Sequence, residues 1–346
     1  MKTPEQIINS CQAAFQLFLG QTPDEVVAIT SGHIHHSLRV RMGPNDYLMQ
    51  CVNENVFRNI NAVMKNADAL ITHLVASPNY PYEVATLYRT PQGETLVRND
   101  AGAWRCQKFI AGQEPELGSD ISVETVAYSF GVFSRVASEM SSASLEDTLP
   151  NFHDPAFRQN NHRLALANAS ADRLTNSNDI DQRLTEFEFL GKSLSTFRHY
   201  SEVAHNDPKP SNILVATSGD PIAIIDFDTV MQGSRYDDFG DLVRSLCATA
   251  EENTDPQKTP IKFREDIYNE IYHGFLEGLK QSDSSTVKHN FKQGSAYIIY
   301  EQALRFLTDY LAGNTYYKVE YERQNLVRAN NQITLLESMN KVLGIK

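Results

Sequence analysis

The feature that most constrains the fold of this chain is a short β-rich segment, residues 203–230, that interrupts a helical region. Two apolar strands, at residues 213–215 and 223–225, flank a turn rich in Ser, Gly, Asp and Pro, which is the composition of a hairpin. Asn212 precedes the first strand and Asp226 follows the second. Because antiparallel pairing brings such positions together, the pattern predicts two oxygen-bearing side chains side by side.

The polar residues around this hairpin have the chemistry of a magnesium and phosphate site. Amide and carboxylate oxygens are ligands that Mg²⁺ prefers, so Asn212 and Asp226 are candidate metal ligands. Asp207 lies five residues before Asn212 and is placed to accept a proton from a hydroxyl nucleophile. Lys209 can bring a positive charge to a transferring phosphoryl group. For Asp228 two alternatives stay open, a contact to a second metal ion or hydrogen bonding within its own loop.

The hydrophobic periodicity changes along the chain and predicts a mixed α+β fold with two lobes. Before about residue 111 the spacing is mostly that of strands, and beyond it helical spacing dominates outside the hairpin segment. We expect a small N-terminal β-sheet lobe with one inserted helix, residues 1–111, and a larger, mainly helical C-terminal lobe, residues 112–346. The predicted strands before the hairpin are 26–30, 37–41, 47–52, 83–89 and 103–110. The predicted helices are 4–19, 57–74, 123–136 (with Ser119 as its cap), 160–170, 179–200, 239–251, 263–280, 291–312 and 326–343.

Composition and charge exclude several classes of protein. The chain has 346 residues, 31 Lys and Arg against 43 Asp and Glu, and a formal net charge of −12. This charge argues against a nucleic-acid partner, because binding to a phosphate backbone needs clustered cations. The 4 cysteines form no C-x-x-C pair, which disfavours a zinc ribbon and fits reduced thiols. No run approaches the roughly 18 apolar residues of a membrane span, and the opening residues lack the apolar stretch of a signal peptide. We expect a cytoplasmic protein without a membrane partner.

Motifs that share one order with a known family occur from one end of the chain to the other. They are Ser31-Gly32-His33-Ile34, Gly102-Ala103-Trp104-Arg105, Lys108-Phe109-Ile110, Phe152-His153-Asp154, His205-Asn206-Asp207, Ile225 to Met231, Tyr236 to Asp241 with Arg244, Arg305 to Leu311, and Asn325 to Arg328. In these motifs the chain resembles the aminoglycoside phosphotransferase and choline kinase superfamily, which has the bilobal protein-kinase-like fold. Within it, these motifs resemble those of bacterial N-acetylhexosamine 1-kinases. The resemblance implies a kinase that uses ATP and Mg²⁺ to phosphorylate the anomeric hydroxyl of an N-acetylhexosamine.

The resemblance also assigns the nucleotide to the N-terminal lobe. It places the loop that covers the phosphates at residues 31–36, with Ser31 and Gly32 as binding residues. This loop has one glycine, and no G-x-G-x-x-G occurs in the chain. The adenine site is expected near the backbone of Phe109, where the two lobes are linked.

The third strand departs from the protein-kinase pattern. Gln50 stands where those enzymes have a lysine, and no lysine occurs in residues 47–52. We expect Gln50 to contribute to the nucleotide site, while Lys209 and Arg105 are alternatives for the missing charge. The missing lysine also fits a nucleotide-binding pseudokinase, but the intact Asp207 and its neighbouring candidate metal ligands favour an active enzyme.

On the acceptor side, the resemblance implies that His33, Asp207, Arg305 and Tyr316 contact the sugar, with Asp207 as the catalytic base and Lys209 beside it. From the residues alone, the acids four positions before and after Arg305 also fit a surface salt-bridge network. The acidic composition suits a cationic aminoglycoside as well. A kinase for an aminoglycoside, choline or homoserine is therefore an alternative.

Two further motifs look like nucleotide-binding signatures but lack the expected context. Asp238-Phe239-Gly240 spells the metal motif of protein kinases, yet it lies at a predicted helix start rather than after an apolar strand. Gly191-Lys192-Ser193 lacks the glycine that a Walker A loop needs five residues earlier. We expect Asp238 or Asp241 to stabilise the start of this helix, and the resemblance makes Asp241 a candidate support for the catalytic loop.

Overall fold

The computed structural model describes residues 3–30, 34–194 and 202–345. The helices are α1 Pro4–Leu19, α2 Ile60–Ala76, α3 Val123–Ala137, α4 Pro155–Asn168, α5 Ala171–Thr185, α6 Phe189–Ser193, α7 Arg235–Leu246, α8 Glu265–Leu279, α9 Ser285–Leu311 and α10 Gln324–Leu343. The strands are β1 Glu25–Ile29, β2 His36–Met42, β3 Asn45–Val52, β4 Val97–Asn99, β5 Gly102–Lys108, β6 Glu202–Ala204, β7 Ile213–Val215, β8 Pro221–Ile224 and β9 Met231–Gly233. None of these helices is long and apolar enough to cross a membrane.

An antiparallel sheet forms the first part of the chain. Within the described residues its strand order is β1-β2-β3-β5-β4. Along β3 the side chains alternate up to Cys51, with Tyr47, Met49 and Cys51 buried and the residues between them partly exposed. This alternation places Gln50 on the other face, opposite Ser37 of β2 and Arg105 of β5.

Helix α1 covers the buried face of this sheet. It begins with a capping box between Thr3 and Gln6 and ends at Gly20, whose φ of 69° is readily adopted only without a side chain. The apolar residues at helical spacing, which include Phe15 and Phe18, pack against Trp104 and the buried residues of β2 and β3. A single hydrophobic stripe on α1 thus fixes which face of the sheet is buried.

The chain forms two compact units, which are described separately. The first comprises Met1–Ile121, Arg135–Leu149 and Pro210–Gln232, and the second comprises Ser122–Ser134, Pro150–Lys209 and Gly233–Lys346. A small antiparallel sheet near the N-terminus and a larger helical region toward the C-terminus confirm the predicted α+β class. The lobe boundary between residues 111 and 112 stays a prediction.

Helix α9 is the central element of the second unit. It packs against α4, α5, α7 and α10, and most of its residues from Phe291 onward are buried. Helix α7 approaches it closely because two glycines leave room. A Cβ atom at Gly294 would lie 2.9 Å from Tyr236, and one at Gly240 would lie 2.8 Å from Ile298. The glycine of the Asp238-Phe239-Gly240 motif therefore serves helix packing.

Three predicted elements are wrong in detail. Residues 83–89 form no continuous strand, because Thr86 N–H donates to Val84 O at 2.9 Å in a tight turn and only isolated bridges remain. The helix predicted over 179–200 is replaced by α5 and α6, and residues 195–201 lie outside the described chain. The cap of α3 is Ser122, whose Oγ accepts from Thr125 N–H at 3.0 Å, rather than Ser119. Short β4 was not predicted.

Candidate active site

The predicted hairpin is present in the first unit and joins the two candidate metal ligands. Strands β7 and β8 pair antiparallel, with Ile213 opposite Ile224. One step farther along, Ile225 N–H donates to Asn212 O at 2.9 Å. Asn212 is buried and Asp226, next to Ile225, is partly exposed. The register therefore places the amide of Asn212 and the carboxylate of Asp226 at the same end of the hairpin.

Asp226 has a left-handed backbone conformation, with φ 67° and ψ 67°. This conformation costs a residue with a side chain about 1 kcal/mol or more, and aspartate tolerates it better than most. The turn that follows is anchored, because Asn66 Nδ2 donates to Val230 O at 2.9 Å. A strained acid held by its surroundings is typical of functional sites.

Two residues after Asp226, Asp228 is part of a buried ionic cluster. Arg105 Nη1 donates to its Oδ1, Arg105 Nη2 lies 3.2 Å from its Oδ2, and His35 Nε2 lies 2.6 Å from the same oxygen. His35 Nδ1 accepts from Asn53 N–H at 3.1 Å, so Nε2 carries the proton that Asp228 receives as a hydrogen bond. Burial raises the pKa of Asp228, but Arg105 and His35 outweigh it and hold the pKa well below its usual range.

These contacts bear on the two alternatives for Asp228. Both carboxylate oxygens already accept hydrogen bonds from Arg105 and His35. The geometry favours the hydrogen-bonded role over contact with a metal ion, and the metal role stays a prediction. The contribution of His35 was missed by the sequence interpretation, although His35 lies in the motif region 31–36.

The place of the absent third-strand lysine is taken by a glutamine and an arginine. Arg105 Nε and Nη2 donate to Gln50 Oε1 at 2.9 and 2.8 Å, and Gln50 Nε2 donates to Ser37 Oγ at 3.0 Å. Of the two cations considered for the missing charge, Arg105 is thus the one that contacts Gln50. The assignment of Gln50 to the nucleotide site is still a prediction.

The candidate catalytic loop belongs to the second unit. Lys209 Nζ lies 2.6 Å from Asp207 Oδ2, so the predicted base and the predicted cation form an ion pair at a partly exposed position. The ring of His205 is fully buried and packs edge-on against Phe130 and Phe133. His205 therefore anchors the loop by packing against α3, and its role is structural rather than catalytic.

The support of this loop is Asp238, and the expectation for Asp241 is wrong. Asp238 accepts from the backbone N–H groups of His205 and Asn206 at 2.9 and 2.7 Å. Burial raises its pKa to about 8 even though these two hydrogen bonds lower it. Asp241 instead accepts from Arg244 Nε at 2.7 Å. The expectation that Asp238 stabilises its helix start is thus incomplete, because its carboxylate serves the loop.

A pocket of about 190 Å³ in the second unit contains two of the three predicted acceptor residues of that unit, Arg305 and Tyr316, and its lining does not include the third, Asp207. Its lining residues are Arg158, Asn161, Leu304, Arg305, Thr308, Asp309, Ala312, Thr315, Tyr316 and Tyr317. The guanidinium of Arg305 lies 5.0 Å from the ring of Phe152 and 5.7 Å from the ring of Tyr317. Tyr316 is 64% exposed. The structure therefore brings Arg305 and Tyr316 to one cavity.

The alternative of a salt-bridge network around Arg305 is wrong. Glu301 binds His153 Nδ1 at 2.9 Å and Arg158 Nε at 3.1 Å. Asp309 accepts hydrogen bonds from a neighbouring loop. Across residues 3–30, 34–194 and 202–345, no carboxylate forms an ion pair with Arg305. Its guanidinium donates a hydrogen bond from Nη1 to Gln302 Oε1 at 3.2 Å.

Some predicted site residues remain without a structural description. Ser31, Gly32 and His33 lie outside the described residues. Phe109 is partly buried directly after β5, and its ring lies 4.9 Å from the guanidinium carbon of Arg39. The next residue, Ile110, belongs to a small apolar cluster with Ala85 and Ala223. Such a cluster suits a flat aromatic base, but the role of Phe109 stays a prediction.

The donors at the hairpin fit the magnesium ion that the sequence predicts. The described residues hold no group of three or more His, Cys, Asp or Glu arranged for a metal. A site of one amide and one carboxylate, completed by phosphate oxygens, does not need such a group. Asn212 and Asp226 provide hard oxygen ligands and no sulfur, which suits Mg²⁺ rather than zinc.

The small antiparallel sheet and the larger helical region define the class, an α+β protein with the protein-kinase-like fold. The solved structure of a spectinomycin phosphotransferase in complex with ADP and spectinomycin matches with TM-score 0.62 and 12% identity, covering 96% of this chain and 98% of that chain. A choline kinase from Cryptosporidium parvum matches with TM-score 0.60 and 16% identity, covering 99% and 98%. These likenesses show the fold.

The family follows from the sequence itself. The profile of the phosphotransferase enzyme family matches residues 53–259, and the chain belongs to this family. The prediction of a phosphotransferase enzyme is therefore confirmed. The matched region includes the candidate catalytic loop and the hairpin.

Proposed function

We propose that the protein is a kinase that uses ATP and Mg²⁺ to phosphorylate the anomeric hydroxyl of an N-acetylhexosamine, such as N-acetylglucosamine or N-acetylgalactosamine. Membership of the phosphotransferase enzyme family supports the transfer of a phosphoryl group. Similarity of fold to a spectinomycin phosphotransferase and a choline kinase supports a small alcohol as acceptor. The sequence resemblance supports the finer choice of an amino sugar.

The observation that carries the choice of acceptor is the charge of the pocket. Two arginines, Arg158 and Arg305, line it, and its one carboxylate, Asp309, accepts hydrogen bonds from three backbone N–H groups. The charge of Arg158 is paired with Glu301, whereas Arg305 forms no ion pair with a described carboxylate. A cationic aminoglycoside or choline would therefore meet the positive charge of Arg305 without a free acid to pair with. A neutral sugar fits better, because its hydroxyls accept hydrogen bonds from a guanidinium and its apolar face can lie on an aromatic ring.

Arg305 is suited to grip sugar hydroxyls. Its guanidinium carbon lies over the rings of Phe152 and Tyr317, and these neighbours limit the movement of the side chain. A guanidinium has five N–H donors in a fixed plane, and one of them is used by Gln302. Donors held in place in this way discriminate between acceptors that have and lack a partner hydroxyl.

The proposed reaction uses Asp207 as the base. Its carboxylate takes the proton of the sugar hydroxyl as that oxygen attacks the γ-phosphorus. The bond between the γ-phosphorus and the β,γ-bridging oxygen breaks, and ADP leaves with the electron pair. Lys209, 2.6 Å from Asp207, brings a positive charge to the transferring group. Asn212 and Asp226 would hold Mg²⁺, which neutralises the phosphate oxygens when bound. Ser31, Gly32, Gln50 and Phe109 complete the proposed nucleotide site, and His33 and Tyr316 the acceptor site. Positioning and charge neutralisation contribute most of the rate.

The test is release of ADP with a panel of acceptors. N-acetylglucosamine and N-acetylgalactosamine should be phosphorylated well, whereas choline, homoserine and kanamycin should not. A 1-O-methyl glycoside of the best sugar should be inert, because its anomeric oxygen carries no proton. Phosphorylation of that glycoside would place the attack on another hydroxyl, and release of ADP with kanamycin alone would favour an aminoglycoside kinase.

Asp207→Asn is the matched control for this screen, because it keeps the shape of the side chain and removes the proton acceptor. We expect turnover to fall by about 10²–10⁴-fold with nucleotide affinity nearly unchanged. Calorimetric titration with a non-hydrolysable ATP analogue checks the affinity. Near-normal turnover in this variant would contradict the assignment of the base, and no turnover by the unaltered protein with any acceptor would favour a pseudokinase.

A further inference from the structure

We propose that Asp309 is a positioning residue of the acceptor pocket. Its carboxylate holds the backbone of residues 315–317 and thereby places the rings of Tyr316 and Tyr317. The proposal rests on the proposed function of this pocket as the acceptor site. Asp309 itself lies near the end of α9, one turn after Arg305.

Both oxygens of the Asp309 carboxylate are used by the loop that follows α9. Oδ1 accepts from the backbone N–H groups of Thr315 and Tyr316, each at 2.8 Å. Oδ2 accepts from Tyr317 N–H at 3.0 Å and from Asn325 Nδ2 at 2.8 Å. Asp309 also acts through its own backbone, because its carbonyl oxygen accepts from Asn314 N–H at 2.8 Å.

The local backbone explains why three consecutive N–H groups converge on one side chain. Helix α9 ends at Leu311, and the next turn contains two left-handed residues, Gly313 with φ 96° and Asn314 with φ 59°. Such a turn reverses the chain and leaves the following amides without helical partners. A carboxylate is the group that can satisfy several N–H donors at once, through charge-assisted hydrogen bonds.

This arrangement separates two roles that Asp309 could have in the pocket. Asp309 lines the cavity, but it is only 5% exposed, and its oxygens already accept hydrogen bonds from five donors, the fifth being Thr315 Oγ1 at 3.4 Å. It therefore has little capacity left to bind a hydroxyl of the acceptor. Its influence passes through the loop, because the ring of Tyr317 lies beside the guanidinium of Arg305 and the ring of Tyr316 stands against Tyr317.

The variant that tests the proposal is Asp309→Asn. It keeps the volume but replaces one oxygen by an NH₂ donor, which would face N–H groups that need an acceptor. We expect the KM for the sugar to rise at least about tenfold, with kcat and the KM for ATP changed less than about twofold. A loss of general stability would not produce this split. Asp172→Asn, at an exposed position of α5, is the matched control and should leave all three constants unchanged.

Limited chymotrypsin digestion of the full chain tests the proposal without any substrate. The loop contains the cleavable residues Tyr316, Tyr317 and Tyr321, and Asp309→Asn should be cut there several times faster than the unaltered protein. If no sugar is an acceptor, the proposed function fails, but faster cutting still supports the positioning role. Unchanged cutting together with an unchanged KM for the sugar would overturn it.

A second variant covers the case in which Asp309→Asn does not fold. Asn325→Ala removes the side-chain donor to Asp309 Oδ2 and leaves the carboxylate in place. We expect the same selective rise in the KM for the sugar and the same faster cleavage, both with smaller amplitude. A fall in kcat with both KM values unchanged would instead show that this cluster affects the reaction step, and would overturn the positioning role.

Discussion

Two arginines, one in each compact unit, are surrounded in opposite ways. Arg105 of the sheet is 3% exposed and shares its donors between the carboxylate of Asp228 and the amide oxygen of Gln50. Arg305 of the helical unit lies close to two aromatic rings and lacks an ion pair to any described carboxylate. The first guanidinium is committed to the protein itself, whereas the second keeps donors for a ligand.

The contrast gives a way to separate structural from binding arginines. When a buried arginine pairs with a buried acid, the loss of either partner lowers the free energy of unfolding strongly, because an unpaired charge remains inside the protein. An arginine whose guanidinium is held by aromatic rings can keep its position while its N–H groups stay available for hydrogen bonds to a ligand. Arg105 should therefore affect stability and the turn after Asp226, and Arg305 should affect the acceptor. The predictions below test this division.

The largest effect is expected from the acid next to the ionic cluster. Asp226→Ala should abolish Mg²⁺-dependent activity, because one of the two proposed protein ligands of the metal is lost. Asp228→Asn should keep a normal Mg²⁺ midpoint but unfold at lower denaturant concentration. Titration of activity with Mg²⁺ and urea unfolding of both variants distinguish them. An altered Mg²⁺ midpoint in folded Asp228→Asn would support the metal role for Asp228.

Next in size is the loss of the Arg105 guanidinium. Arg105→Met keeps the apolar stem and leaves Asp228 buried without its main partner, so the free energy of unfolding should fall by about 3–5 kcal/mol. Arg98→Met is the control on the same sheet, because its ion pair with Glu54 is exposed and should contribute less than about 1 kcal/mol. Urea unfolding measures both. A loss below about 1 kcal/mol for Arg105→Met would contradict the structural role of Arg105.

A smaller and more selective effect is expected for the other arginine. Arg305→Ala should raise the KM for the sugar at least about tenfold, roughly 1.4 kcal/mol, with the KM for ATP nearly unchanged. Arg163→Ala, which removes an exposed arginine of α4, should change neither constant. Steady-state kinetics with each substrate varied in turn gives the values. Equal rises in both KM values would mean that Arg305 is not specific to the acceptor.

The last effect is a dependence of stability on pH and concerns the buried acid under the catalytic loop. The pKa of Asp238 is about 8 in the folded protein and near 3.8 when unfolded, so the folded state keeps a proton that the unfolded state loses. The stability contributed by this group is complete below about pH 4 and is lost as pH rises to about 8. The free energy of unfolding of the unaltered protein should therefore fall relative to Asp238→Asn between pH 5.5 and 8.5. A constant difference would contradict the raised pKa.

The parts of the site that are local in sequence could be predicted. The hairpin around Asn212 and Asp226 depends on residues within one short segment, whose apolar runs and turn composition determine its register. Gln50 and its strand were also predictable from alternation. The α+β class could also be predicted, because the change from strand-like to helical hydrophobic spacing extends over long stretches of sequence and does not depend on single residues.

Contacts between distant residues could not be predicted in the same way. Arg105 and Asp228 are separated by 123 positions, and the hydrophobic pattern of the sequence does not predict that they pair. The choice between Asp238 and Asp241 failed because residues three apart on a helix lie on neighbouring faces, and only packing decides which one is buried. The role of Asp309 depends on a backbone turn whose amides carry no sequence signal. The lack of an ion pair at Arg305 could not be predicted either, because it depends on the pairing of Glu301 with His153 and Arg158 instead.

The register of β3 against β5 also has an evolutionary consequence. Gln50 and Arg105 are direct cross-strand neighbours, and the glutamine oxygen accepts two hydrogen bonds from the guanidinium. A lysine introduced at position 50 would replace that acceptor by a second cation, and like charges placed opposite one another destabilise a sheet. A single Gln50→Lys substitution would therefore destabilise the sheet. Positions 50 and 105 form an epistatic pair, so a lineage that crosses between the two arrangements has to change both.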